Sequence, residues 1–136
     1  MAAEILIVDD DPNDCSLALQ ALNSVLPKPT IAVVHDGTEA LDYVFRTGDY
    51  ADRVDAAPLK LVILDLNMPR LHGMEVLRQI RTDPSTVDLA VVVLTGGYDP
   101  DEIREAQKLG VTSYFVKPSD FREYMEMLRV IRAKWL

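Results

Sequence analysis

Acidic side chains follow two of the apolar runs in this sequence. Ile5–Val8 is followed by Asp9 and Asp10, and Leu61–Leu64 is followed by Asp65. If these runs are neighbouring parallel strands, the three carboxylates meet at one edge of a sheet. Carboxylates about 4 Å apart repel by roughly 4 kcal/mol at an effective dielectric constant of 20, so they are either partly protonated or neutralised by a cation. Their hard oxygen ligands favour Mg²⁺, with Mn²⁺ as a substitute.

Two further predicted strands are followed by groups that can bind an oxygen anion. Leu89–Leu94 is followed by Thr95, a hydroxyl donor, and Val111–Val116 is followed by Lys117, an ammonium. Both would face the same crevice and could hold the oxygens of a phosphoryl group on Asp65. Taken alone, Asp65 is equally compatible with a turn or cap residue. The other strand ends favour an aspartyl phosphate and therefore phosphoryl transfer.

The elements that must position these groups alternate along the chain. Strands are predicted over 5–8, 31–34, 61–64, 89–94 and 111–116. The predicted helix starts are Asp11-Pro12, Asp36, Gly73, Asp99-Pro100 and Ser119. At the fourth start, Glu102 completes a capping box with Asp99. The predicted helix ends, in the same order, lie near Leu26, Gly48, Arg81, Gly110 and Trp135. This alternation predicts an α/β fold with a doubly wound, five-stranded parallel sheet. The flavodoxin-like order 2-1-3-4-5 would bring the three acids together.

Length, composition and charge limit the classes of function. The 136 residues are 49% hydrophobic, enough for one domain over 1–136. A net charge of −8 argues against binding nucleic acid or an anionic membrane, so partners should be proteins or cations. The short apolar runs and the N-terminus without a signal peptide predict a cytoplasmic protein.

Several residues have simpler structural interpretations. The sole cysteine, Cys15, is expected to be a small buried apolar group. His35 and His72 are expected in solvated turns rather than as metal ligands. In the last helix, the apolar positions at helical spacing are expected to form a core stripe. These positions are Phe121, Tyr124, Leu128 and Ile131.

Four segments, in order and spacing, resemble the receiver domain of two-component response regulators. They are Ile7-Val8-Asp9-Asp10, Leu64-Asp65-Leu66-Asn67-Met68-Pro69 with Gly73, Leu94-Thr95-Gly96, and Tyr114-Phe115-Val116-Lys117-Pro118. The resemblance covers essentially the whole chain. It implies a phosphorylation-controlled switch that accepts a phosphoryl group from a sensor histidine kinase or a histidine phosphotransfer protein. It implies no enzyme acting on an outside metabolite, only self-catalysed phosphoryl transfer and autodephosphorylation.

The resemblance also implies a role for each acid. Asp65 would be the phosphoacceptor. Asp10, Asp65 and the main-chain carbonyl of Asn67 would bind Mg²⁺ directly, and Asp9 would assist mainly through water.

The same resemblance implies a switching mechanism. Thr95 and Lys117 would contact the phosphoryl oxygens, and Tyr114 would be the switch aromatic that moves when Thr95 is drawn inward. The surface formed by the fourth helix, fifth strand and fifth helix would then change its preferred partner. The peptide bond between Lys117 and Pro118 would be cis.

A narrower resemblance is to the single-domain regulators that serve phytochrome-type sensor kinases. It rests on the long polar connection over 48–59, which is either functional or mobile, on the Asp65–Arg70 sequence and on the last helix with Trp135. With no output domain expected after Trp135, the readout would be protein contact or phosphorelay. His72 stands where receivers often carry an aspartate, which changes a surface group near the site.

The end of the last helix predicts a possible homodimer. A helix from Ser119 to Trp135 would be about 25 Å long and would overhang a five-residue strand of roughly 17 Å. Trp135 and Leu136 would extend its apolar stripe into that overhang. They either pair with a second copy, through the surface of the fourth helix, fifth strand and fifth helix, or fold back over the domain edge.

Two other classes of function compete with the switch. An aspartate-nucleophile phosphatase would also begin with an apolar strand and an Asp-x-Asp sequence, but here the second acid is Asn67 and a cap region is absent. A phosphorylation-independent scaffold with this fold would normally have lost Asp10, Asp65 or Lys117, and all three are present.

Overall fold

The computed structural model describes residues 4–52, 59–68, 71–97, 99–111 and 113–135. The strands are β1 Glu4–Val8, β2 Thr30–Val34, β3 Leu59–Asp65, β4 Ala90–Thr95 and β5 Ser113–Val116. The helices are α1 Pro12–Val25, α2 Gly37–Phe45, α3 Gly73–Thr82, α4 Pro100–Lys108 and α5 Phe121–Trp135, with a short 3₁₀ helix at Gly48–Tyr50.

All five strands are parallel and follow the order β2-β1-β3-β4-β5, so the predicted fold and strand order are confirmed. The register pairs Val8 with Leu64 and Asp65 with Leu94. Since parallel strands end at the same edge, the residues after β1 and β3 become neighbours. Strand order and register therefore place the acids before any side-chain contact is considered.

Two apolar layers cover the sheet. Side chains of β1 and β3 alternate between them: Leu6 and Val62 pack with α2, α3 and α4, whereas Ile5 and Ile63 pack with α1 and α5. A strand covered on both faces must be apolar at every position, which explains the unbroken run Leu61–Leu64. Burying each such side chain contributes about 1.5–3 kcal/mol, and the same burial fixes the backbone that carries Asp65.

Helix starts are capped largely as predicted, with one correction. The Asp11, Asp36 and Asp99 side chains accept hydrogen bonds from the first turns of α1, α2 and α4. The last helix is capped by Asp120, whose Oδ1 accepts from the Glu123 N–H at 2.9 Å, rather than by Ser119. Aspartate and serine are comparable caps, so propensity alone does not choose between adjacent positions.

Other boundaries differ locally from the prediction. The second helix ends at Phe45, and its C-cap Arg46 adopts a left-handed conformation with φ of 57°. Gly48 opens the 3₁₀ helix instead of ending α2. The 48–59 connection is thus ordered at its start, residues 53–58 lie outside the described range, and Leu59 already belongs to β3. The last strand begins at Ser113 instead of Val111.

The start of α3 lies close to the end of β3. A Cβ at Gly73 would come within 2.5 Å of the Asp65 carbonyl oxygen and 2.6 Å of the Leu66 Cα, which real Cβ atoms essentially never do. The Gly73 N–H donates to the Leu66 carbonyl at 3.1 Å. Glycine is therefore required for the loop after Asp65 to return so closely to the strand.

The last helix confirms part of the predicted core stripe. Tyr124, Leu128 and Ile131 are buried against the sheet, but Phe121 is 39% exposed. Phe121 opens the helix, before the stripe turns to face the sheet. The backbone of Trp135 ends α5, while its side chain and Leu136 lie outside what the structure describes.

Candidate functional site

The three acids form a compact cluster at the carboxyl edge of the sheet. One carboxylate oxygen from each of Asp9, Asp10 and Asp65 lies within 4.8 Å of the others. Asp9 is only 3% exposed and Asp65 only 2%, whereas Asp10 is exposed. The cluster therefore has two buried carboxylates and one that faces solvent.

Backbone N–H groups orient the two buried acids. Asp9 Oδ1 accepts from the Asp11 N–H at 2.9 Å, and Asp65 Oδ1 accepts from the Asn67 N–H at 2.9 Å. Each bond closes a tight turn between an aspartate side chain and the residue two positions later. These turns fix the Oδ1 atom of each acid, and the Oδ2 atom of each faces Lys117 in the crevice.

Lys117 occupies the centre of the crevice. Its Nζ lies 3.0 Å from Asp9 Oδ2, 3.0 Å from Asp65 Oδ2 and 2.8 Å from Asp14 Oδ2. An ammonium offers three donors, so each can serve one carboxylate. Asp14 was not predicted as a site residue, although its place in the first turn of α1, three residues after the capping Asp11, was the available signal.

The electrostatics of the cluster follow from burial and from this shared cation. Burial raises the pKa of Asp9 to about 6, against the opposing effects of the Asp11 N–H and Lys117. Burial alone would lower the pKa of Lys117, but hydrogen bonds to Asp14, Asp65 and Asp9 outweigh it and raise that pKa. Lys117 is therefore charged at neutral pH.

A second group of polar contacts surrounds Thr95. Its side chain is 2% exposed, and its Oγ1 donates to Glu102 Oε1 at 2.9 Å. The Tyr114 hydroxyl donates to the same Glu102 oxygen at 2.8 Å, and burial raises the pKa of Tyr114, so this hydroxyl keeps its proton. Glu102 was predicted only as a capping-box acid.

The structure places the histidines and the cysteine as predicted. His35 and His72 are exposed, and His72 Nδ1 accepts from the Met74 N–H at 3.1 Å, which caps α3. Cys15 is buried, and its Sγ donates to the Asp9 carbonyl at 3.4 Å. Burial raises the pKa of Cys15 to about 11, so it is a thiol that packs beneath the acidic loop.

One feature implied by the family resemblance is wrong. The described residues contain no cis peptide bond, so the bond between Lys117 and Pro118 is trans. The intrinsic preference for trans before proline is only about 0.5–1 kcal/mol, so the surrounding packing decides the isomer and the Lys-Pro sequence does not.

The donor chemistry of the cluster fits a divalent cation. Three carboxylates supply hard oxygen ligands, and the exposed Asp10 leaves one side open to solvent. Lys117 neutralises only part of the cluster's charge. A cavity of about 1010 Å³ lies elsewhere, near Leu59, Arg81 and Lys108, and shares no residue with the cluster. The chemistry, rather than cavity size, therefore makes this cluster the candidate site.

No helix within the described part of the chain combines the length and apolar character needed to cross a membrane.

Comparisons with known proteins agree with this geometry. The family model described as "Response regulator receiver domain" matches residues 5–129. Response regulator Rcp1 of Synechocystis is 29% identical over 97% of this chain and 88% of its own length. The solved structure of the phosphorylated cyanobacterial phytochrome response regulator RcpA is 31% identical, with a TM-score of 0.88 over 99% of this chain and 94% of that one. The Mn²⁺-bound form of response regulator Rcp1 is 28% identical, with a TM-score of 0.86 over 98% of this chain and 94% of that one.

Proposed function

The chain belongs to the response regulator receiver family, and on that basis we propose that it is a phosphorylation-controlled signalling switch with Asp65 as the phosphoacceptor. The observation that carries this proposal is the buried Asp65 carboxylate at the end of β3, beside Asp9, Asp10 and Lys117. The Lys117 ammonium, and a divalent cation held by the three acids, would offset the negative oxygens that a phosphoryl group brings to Asp65.

In the proposed reaction, an Asp65 carboxylate oxygen forms a bond to the phosphorus of a phosphohistidine. The phosphorus–nitrogen bond breaks, and the donor nitrogen keeps the electron pair and takes up a proton. Lys117, already 3.0 Å from Asp65 Oδ2, would hold an oxygen of the transferred group. Hydrolysis of the acyl phosphate returns Asp65 to its free state, and the chain acts on no outside metabolite.

The cluster would hold Mg²⁺, or Mn²⁺ as a substitute. Asp10, Asp65 and the main-chain carbonyl of Asn67 would be direct ligands, and Asp9 would assist through water. The bound ion would supply positive charge against the phosphoryl oxygens. Support comes from the three oxygen donors within 4.8 Å of one another and from the Mn²⁺-bound form of the similar Rcp1.

The proposed donor is a phytochrome-type sensor histidine kinase or a histidine phosphotransfer protein. Support comes from the likeness over nearly the full chain to RcpA, a phytochrome response regulator, and to Rcp1. The same proposal treats residues 1–136 as a single receiver domain and places it in the cytoplasm. Nucleic acid and membrane have no part in it.

We also propose a homodimer through α4, β5 and α5, with Trp135 and Leu136 at its edge. Two apolar side chains of this surface support it, since Val116 is 54% exposed and Phe121 is 39% exposed. Large exposed apolar groups on one surface commonly mark a contact with another protein.

The competing functions have weaker support. The family match to residues 5–129 offers none for an aspartate-nucleophile phosphatase. A phosphorylation-independent scaffold would have no need to keep three acids and a half-buried Lys117 together at 2.8–3.0 Å, since desolvating these charges is costly.

The test is phosphoryl acceptance from acetyl phosphate with Mg²⁺, followed by intact mass and by stability of the adduct to acid and base. The wild type should gain one acid-stable, base-labile phosphoryl group, and Asp65→Asn should gain none. Asp49→Asn, at an exposed acid in the 3₁₀ helix, is the matched control and should behave as the wild type. Equal rates in Asp65→Asn and the wild type would overturn the assignment.

A further inference from the structure

Glu102 joins three elements through a single oxygen atom. Its Oε1 accepts from Thr95 Oγ1 at 2.9 Å and from the Tyr114 hydroxyl at 2.8 Å. Thr95 ends β4, Tyr114 lies in β5, and Glu102 lies in the first turn of α4. The two side chains expected to respond to phosphorylation are therefore held by one carboxylate.

The Thr95 hydroxyl has one proton, and that proton is engaged. An ionised carboxylate can only accept, so Thr95 must be the donor to Glu102. The oxygens of Asp65 are meanwhile bound by Lys117 Nζ at 3.0 Å and by the Asn67 N–H at 2.9 Å. In this arrangement the Thr95 hydroxyl donates to Glu102 of α4 and not to Asp65.

A phosphoryl group on Asp65 would compete with Glu102 for that proton. Both acceptors are negatively charged, so the Thr95 hydroxyl forms a strong hydrogen bond with either of them. When Thr95 turns toward the phosphoryl oxygen, Glu102 loses one of its two hydroxyl donors. Glu102 borders a cavity of about 470 Å³ between α3 and α4, which gives its side chain room to move away.

We propose that Glu102 is a positioning residue that holds Thr95 and Tyr114 in the unphosphorylated arrangement and makes the movement of one depend on the other. This inference rests on the proposed function, because it concerns how Asp65 phosphorylation is opposed and transmitted. Removing the charge of Glu102 should free the Thr95 hydroxyl and favour the phosphorylated arrangement.

The same helix offers a matched control. Glu105 lies one turn further along α4 and binds Arg78, which also binds Glu75 of α3. Glu105→Gln removes the same charge from the same helix without contacting either hydroxyl. The Arg78–Glu105 pair is nearly half exposed and contributes little to stability, so Glu105→Gln should leave α4 in place, as should Glu102→Gln.

The test is binding of beryllium fluoride, a phosphoryl mimic, to Asp65 with Mg²⁺ present, followed by tyrosine fluorescence or by backbone NMR. Coupling between two sites is commonly 5–150-fold, so Glu102→Gln should lower the half-saturating beryllium fluoride concentration by about tenfold. Glu105→Gln should bind as the wild type does. Glu102→Ala should match or exceed the effect of Glu102→Gln.

A double-mutant cycle separates the hydroxyl contact from general charge removal. In a Thr95→Val background Glu102→Gln should no longer change binding, since the competing proton is gone. An effect of equal size in that background, or in Glu105→Gln, would overturn the proposal, as would unchanged binding in Glu102→Gln. A wild type that fails to respond to beryllium fluoride would instead refute the proposed function itself.

Discussion

Replacing Lys117 with methionine should destabilise the apo protein strongly. The substitution keeps most of the side-chain length but removes an ammonium that three carboxylates share at 2.8–3.0 Å. Asp9 and Asp65 are nearly inaccessible to solvent, so water cannot take the place of the lost cation. Their charges then face each other without compensation.

The size of the effect can be worked from the geometry. Charges within 4.8 Å of each other repel by about 3.5 kcal/mol or more at an effective dielectric constant of 20. Removing one partner of a buried ion pair typically costs about 3–5 kcal/mol. We therefore expect a loss of about 3–4 kcal/mol in the free energy of unfolding at pH 7.5. For 136 residues this lowers the melting temperature by roughly 10–14 °C.

The loss should be smaller in mild acid. The pKa of Asp9 is raised to about 6 in the folded protein, above the value near 3.9 of an unfolded aspartate. The folded state therefore binds more protons between these values, and stability falls as pH rises through that window. Lys117 lowers the pKa of Asp9, so its removal raises that pKa further. The deficit of Lys117→Met should thus be smaller at pH 5.5 than at pH 7.5.

The stability deficit of Lys117→Met is measured by thermal unfolding at pH 5.5 and at pH 7.5, monitored by circular dichroism in buffers without divalent cations. Lys60→Met is the matched control, because Lys60 is exposed at the start of β3 and far from the acids. Adding Mg²⁺ should restore part of the stability of Lys117→Met. Equal melting temperatures of Lys117→Met and Lys60→Met at pH 7.5, or a deficit that grows in acid, would contradict this role of Lys117.

Three further outcomes are expected. Mg²⁺ at a hundredfold excess over its dissociation constant should stabilise the wild type by about 2.7 kcal/mol, and Asp10→Ala should lose most of that gain; a melting temperature independent of Mg²⁺ would count against the metal site. Lys117→Arg should still accept a phosphoryl group but respond less to it, because a planar guanidinium cannot place its donors as an ammonium does; a wild-type change in kinase affinity on phosphorylation would contradict the coupling role. Sedimentation over a micromolar concentration series should show a wild-type dimer that Trp135→Ala weakens, whereas monomers in both would refute the dimer.

The backbone of the site could be predicted because it depends on strand ends. Apolar runs before Asp9, Asp65 and Thr95 define buried parallel strands, and the segment before Lys117 defines the half-buried edge strand β5. Parallel strands of one sheet end at a common edge. No knowledge of side-chain conformation was needed to bring those four residues together.

The contacts of the two helix residues could not be predicted in the same way. Asp14 and Glu102 reach the site only because α1 and α4 pack with a particular rotation, and periodicity does not fix that rotation. Glu102 also fits a capping-box pattern, so its presence had a local explanation and its contacts with Thr95 and Tyr114 were not predicted. The isomer at Lys117–Pro118 depends on small energies that a sequence motif does not encode.

Lys117 contacts acids that lie far earlier in the chain, so the site is completed only after β5 has been synthesised. Its bond to Asp9 joins residues separated by 108 positions, and its bond to Asp65 joins residues separated by 52. During synthesis Asp9 and Asp65 emerge well before the residue that neutralises them, and contacts of such long separation form late in folding. A nascent or truncated chain that lacks β5 therefore has Asp65 without its cation. Under the proposed function, such a chain would lack the ammonium that holds the transferred oxygens, so the switch would be complete only once β5 has docked.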